Sequence, residues 1–127
     1  YPDRKTSCLI GRWSSKVSSQ YTHYPRPQDS GNHEDVTEVT LTNKEGKGIR
    51  VTAIDRPFSF SALYYTVDDI YKATHDCDLK PRKEIILSLD AAVLGLGNSS
   101  CGPGVLKKYA IDKQKPHTLR VRFSLIK

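Results

Sequence analysis

The stretch "EVTLTNKEGKGIRVTAI", residues 38–54, decides the fold class. Glu38 to Thr42 and Ile49 to Ile54 alternate branched apolar and polar residues at period two, and "NKEGKG" between them supplies the glycines of a turn, so the segment reads as a β-hairpin. The same periodicity continues on both sides of it. After Pro57, "FSFSALYY" sets Phe58, Phe60, Ala62 and Tyr64 on one face and Ser59, Ser61 and Leu63 on the other. "EIILSLDAAVL" returns to strand after "KPRK". In "HTLRVRFSLI" Leu119, Val121, Phe123 and Leu125 alternate with Arg120, Arg122 and Ser124, which predicts a strand with those four apolar side chains in the core.

The period changes once. "TVDDIYKATHD" reads as a short helix with Thr66 as N-cap and Asp69 completing a capping box, while Asp68 and Asp69 favour the positive end of the helix dipole. Those carboxylates therefore have structural work. Val67, Ile70, Tyr71 and Thr74 fall at helical spacing and are the expected buried stripe. The N-terminal third is less regular. "KTSCLIGRW" has strand character, and "YTHYPRPQDSGNHED", residues 21–35, reads as a loop of a length that is usually functional or packed by its own side chains. The sum is antiparallel β with one short helix, the composition of a sandwich or barrel whose strands bury alternating faces.

A chain of 127 residues supports one core, so residues 1–127 are expected to be a single domain. It opens on Tyr1-Pro2-Asp3-Arg4 and lacks methionine, as expected of a piece cut from a longer polypeptide whose remainder completes the sandwich. No apolar run approaches the roughly 18 residues of a membrane span. The net charge of +6 arises from 20 Lys and Arg against 14 Asp and Glu spread without blocks, and no nucleic-acid recognition signature accompanies it. Neither a membrane nor a nucleic acid is an expected partner. Three distant cysteines, Cys8, Cys77 and Cys101, give an odd count that argues against a disulfide framework.

The segment "GLGNSSCGPGV", residues 95–105, is where chemistry could be sought. A phosphate cradle needs a Lys-Ser/Thr pair that is missing, and Pro103 removes a backbone donor. Cys101 as a nucleophile would need a neighbouring histidine, and spacing places none of His23, His33, His75 or His117 beside it, so a small thiol packed in a tight loop is the commoner reading. His75 and Cys77 lack the second ligand pair of a structural zinc site, and a capping or core role is the ordinary reading of His75. Glu34 and Asp35, adjacent in the loop, read as solvated charge. No catalytic or metal-binding residue emerges from the residues alone.

Taken in order, "YPDRKTSCLIGRW", "YTHYPRPQDSGNHEDV", "PFSFSALYYTVDDIYKATHDCDL" and "LDAAVLGLGNSSCGPGV" resemble the C-terminal end of the large β-galactosidases of the glycoside hydrolase family two type. The resemblance implies a fragment of an antiparallel, galactose-mutarotase-like β-supersandwich. It also implies a TIM barrel elsewhere whose two glutamates hydrolyse terminal β-galactosides with retention. The barrel's magnesium and sodium would lie outside this chain, so no cofactor or metal is expected within it. In that family the Gly-rich loop presents a tryptophan on which the sugar stacks; here Cys101 stands at its register, flanked by Asn98 and Ser100, and these three are the expected pocket-wall residues. The implied partners are the galactoside, the remaining domains and, as an open option, further copies of the chain. The implied setting is the bacterial cytoplasm or periplasm. Two other classes share the architecture, a stand-alone carbohydrate-binding module and an assembly domain without sugar affinity.

Overall fold

A computed structural model describes residues 11–94, 104–107 and 110–127. The described chain is mainly β, with six strands in two three-stranded sheets and one short helix, as the periodicity predicts. It divides into two compact units, residues 1–36 with 60–89 and residues 37–59 with 90–127.

The second unit is built on the hairpin. Strands β2, Glu38–Thr42, and β3, Gly48–Ala53, pair antiparallel with Val39 opposite Val51 and Leu41 opposite Ile49. Asn43 shapes the turn between them, its side-chain carbonyl accepting from the amides of Glu45 at 2.9 Å and Lys47 at 3.0 Å. Gly48 is required where β3 begins, because a Cβ there would lie 1.9 Å from the Leu41 carbonyl oxygen. Strand β6, Val121–Ile126, pairs antiparallel with the other side of β3, with Phe123 opposite Val51 and Leu125 opposite Ile49, giving the order β2-β3-β6.

Cross-strand partners share a face, so Val39, Leu41, Ile49, Val51, Phe123 and Leu125 line one side of this sheet. Glu38, Thr40, Arg50, Thr52, Arg122 and Ser124 line the other. Val51 is fully buried, yet Phe123 is 61% and Leu125 79% exposed. This corrects the expectation that β6 faces the core through both. The alternation identifies an apolar face, but an edge strand is buried only as far as something covers it.

The other sheet has the order β1-β4-β5, from His33–Val36, Phe58–Leu63 and Ile86–Asp90. Glu34 and Asp35 thus lie in a strand where a loop was expected. Being central, β4 buries residues of both faces, Phe58, Ser59, Ala62 and Leu63, where alternation predicted one.

Helix α1, Val67–Lys72, starts as its sequence dictates. The Thr66 hydroxyl accepts from the Asp69 amide at 3.1 Å and the Asp69 carboxylate accepts from the Thr66 amide at 2.9 Å. The Lys72 ammonium reaches Asp68 one turn back, at 3.0 Å. The expected stripe is corrected: Ile70 is buried, but Val67, Tyr71 and Thr74 are exposed. A helix of six residues makes fewer than two turns, too short to extend a stripe. Ile70 joins Tyr21, Leu63, Ala73 and Leu79, with Tyr65 against them, in the core of the first unit. Among the described residues no helix is long and apolar enough to cross a membrane.

Candidate functional site

The segment after Gln20 is the most elaborate part of the first unit. Its ring anchor is Tyr21, edge-on to Tyr65 at 5.1 Å and to His23 at 5.2 Å between ring centroids. The Thr22 amide donates to the Ser30 hydroxyl at 3.1 Å, tying the loop across its base. Gly31 has φ of 78° and its absent Cβ would meet the Gln20 carbonyl oxygen at 2.6 Å, so no other residue fits. This loop is packed by its own side chains, one of the two readings its length allowed.

Burial pushes the Tyr21 hydroxyl's pKa upward. That hydroxyl is buried near the Gln28 backbone without a hydrogen bond of good geometry. His23 Nδ1 pairs with the Asp76 carboxylate at 2.7 Å on the surface. His33, buried, sets Nε2 2.6 Å from the Gln20 side-chain oxygen and its ring against Phe60. The first unit also holds a cavity of about 20 Å³ lined by Asp29, Ser61, Leu63, Tyr65, Ile70 and Ser88. Such a space holds about one water, not a sugar.

The helix start is an electrostatic hub. Arg82 donates to Asp69 through Nε at 2.6 Å and a terminal nitrogen at 2.9 Å. That fork, with the Thr66 amide and hydroxyl, holds the Asp69 carboxyl well below the usual carboxylate range and raises Arg82 in turn. Asp78 is held low by the His75 amide, then by the Thr74 hydroxyl and amide. These are structural duties, as expected for Asp69.

In the second unit a wider cleft of about 410 Å³ is lined by Asp55, Arg56, Pro116, Thr118 and Arg120. Arg120 pairs with Asp55, and Arg56 donates to the Thr118 carbonyl at 2.5 Å. Sequence reasoning singled out none of these residues. Their signal was the sheet register, which sets Ile54 opposite Arg120 through a 3.1 Å amide-to-carbonyl bond and so brings Asp55 beside it.

Cys77 is exposed, with His75 at the N-cap of the 3-10 turn Asp76–Asp78, and His117 bonds the Asp112 carbonyl oxygen at 3.0 Å. Among the described residues no three His, Cys, Asp or Glu side chains are gathered where they could hold a metal. Asn98, Ser100 and Cys101, the expected pocket wall, and Cys8 lie outside the described residues.

The family model described as beta galactosidase small chain matches residues 1–125. The chain belongs to that family. A beta-galactosidase of Kluyveromyces lactis is 34% identical over 115 residues, 90% of this chain and 11% of the relative. Beta-galactosidase BgaC of Bifidobacterium adolescentis is 34% identical over 128 residues, covering 98% of the chain and 12% of the relative. The beta-galactosidase small subunit of Latilactobacillus sakei is 32% identical over 123 residues, 88% of the chain and 38% of that subunit. The chain thus spans about a tenth of the long relatives and over a third of the small subunit.

Proposed function

We propose that residues 1–127 are the C-terminal part of a β-supersandwich domain in a β-galactosidase of the glycoside hydrolase family two type. The observation that carries this reading is the family match across nearly the whole chain, joined to relatives named beta-galactosidase of which the chain is a small part. Catalysis belongs to a TIM barrel in the rest of the protein. There one glutamate attacks the anomeric carbon of a terminal β-galactoside while another protonates the departing oxygen; water then releases galactose with retention. The chain's own contribution is shape. Residues 95–105 contribute Asn98, Ser100 and Cys101 to the wall of the sugar pocket, a duty that a stretch rich in glycine with Pro103 suits. A thiol offers too little apolar area to replace a stacking ring, so acceptor preference differs from that of relatives with tryptophan there.

The test is kinetic, in the complete polypeptide. Cys101→Trp is expected to change KM or acceptor preference with little change in stability, and Cys101→Ser to leave kcat nearly intact. A fall in kcat of about a thousandfold in the serine variant, with folding unchanged, would instead make the thiol catalytic.

The Latilactobacillus relative, named a small subunit, favours a second reading in which these residues assemble non-covalently with a separate large chain. Under it, the complete polypeptide purified alone lacks β-galactosidase turnover and gains it on mixing with its large partner.

A further inference from the structure

We propose that the cleft lined by Asp55, Arg56, Pro116, Thr118 and Arg120 is a binding site for a phosphate group, free or carried by a small phosphomonoester. The site goes beyond the enzymatic reading and does not depend on it. Sheet pairing builds it. The Ile54 amide donates to the Arg120 carbonyl at 3.1 Å, one step past the Ala53–Val121 pair, so the residues that leave β3 meet those that enter β6. Arg56 and Arg120 reach the same cleft in this way. Arg120 donates through Nε to Asp55, and Arg56 through a terminal nitrogen to the Thr118 carbonyl at 2.5 Å. A guanidinium carries several N–H donors in one rigid plane, so each arginine is tethered by one nitrogen and keeps others for a ligand.

Charge and shape select the ligand class. Two guanidiniums and one carboxylate line the cleft, which leaves a positive excess in a chain of net charge +6 and disfavours a cation. A neutral sugar gains most from an aromatic platform, and no aromatic ring lines this cleft. A carboxylate can occupy one arginine fork, but Asp55 already takes that place on Arg120. A phosphate has enough oxygens to accept from both arginines at once, through charge-assisted bonds. Because Asp55 and the Thr118 carbonyl hold the guanidiniums beforehand, binding costs little further side-chain freedom. The cleft of about 410 Å³ is over ten times the roughly 30 Å³ share of one water, so a phosphate leaves room for the body of an ester. Pro116 and Thr118 border that room, and the Thr118 hydroxyl has no partner among the described residues.

Calorimetric titration of the complete polypeptide with inorganic phosphate, and separately with glucose 6-phosphate, checks the site. Saturable binding is expected, weakened at least about tenfold by Arg56→Gln and by Arg120→Gln. Arg122→Gln removes the same charge from an exposed arginine outside the cleft and should change the affinity by less than about twofold. Tighter binding of glucose 6-phosphate identifies an ester as the occupant, and equal affinity identifies the free ion; either outcome supports the site. Losses that are equal in all three variants, or absent from all three, would overturn it, as would no saturable binding of phosphate up to about 10 mM. A second measurement needs no variant. Phenylglyoxal, which modifies guanidinium groups, should label Arg56 and Arg120 at least about fivefold more slowly when phosphate is present, with Arg122 unaffected. Unchanged labelling of both cleft arginines would refute the proposal, and since neither readout involves galactoside hydrolysis, the enzymatic reading would stand.

Discussion

Tyr21 and Asp69 hold the first unit from inside and outside, and they answer to different variables. The Tyr21 ring contributes area to the core, whereas its hydroxyl has left water without gaining a well-formed hydrogen bond. A stranded buried polar group costs about 1–3 kcal/mol, so Tyr21→Phe should leave stability unchanged or raise it by up to about 1 kcal/mol. Tyr21→Ala should cost about 3–5 kcal/mol. Denaturant titration of both variants checks this, and a loss above about 1 kcal/mol in the phenylalanine variant would reveal a partner for the hydroxyl. Asp69 is a matter of pH. Its carboxyl titrates below the unfolded value of about 3.9 because Arg82 and Thr66 bind the ionised form, so its contribution is complete above that value and is lost progressively as pH falls from there through the lower folded-state value. Asp69→Asn should therefore be less stable than the parent at neutral pH, with the gap closing in acid. Melting curves from about pH 7 down to about pH 2 read it directly, and a gap independent of pH would mean that shape, not charge, mattered.

At the level of elements, the contrast between β3 and β6 shows what a period-two pattern can say. Both strands were legible, and so were the turn between β2 and β3 and the capping box of α1, because each rests on local chemistry within a few residues. The faces were legible too, since register follows the alternation. Coverage was not, because it depends on what lies above a face. Hence Phe123 and Leu125 read as core and stand exposed, while β4, read as one-sided, is buried on both faces by its central position. The energetic consequence is specific. Val51→Ala should cost about 2–3 kcal/mol in this chain, from two lost methyl contacts and the cavity they leave. Phe123→Ala should cost under about 1 kcal/mol, the ordinary range for a surface site. Urea midpoints of the two variants compare them, and equal large losses would mean that Phe123 is covered after all.

For the molecule as a whole, the decisive features are those that residue chemistry alone could not supply. The Gly-rich stretch 95–105 was conspicuous by composition, but the family was legible only in the ordered run of segments that resemble β-galactosidases, and a family match across residues 1–125 bears that family out. The Asp55, Arg56 and Arg120 cleft was invisible because its members are 62 and 65 residues apart from their partners in sequence and meet only through sheet pairing. Neither described cavity has the parts of a glycosidase site. Retention requires two carboxyl groups about 5 Å apart flanking a sugar. The cavity of the first unit is about 20 Å³ and offers the single carboxylate of Asp29; the cleft of the second offers only Asp55, already held by Arg120. The 127-residue chain by itself is therefore expected to give no turnover of a nitrophenyl β-galactoside above the buffer rate, even at high protein concentration. Turnover that disappears in Asp29→Asn or Asp55→Asn, with the fold intact by circular dichroism, would place the chemistry within this chain and remove the need for a barrel elsewhere.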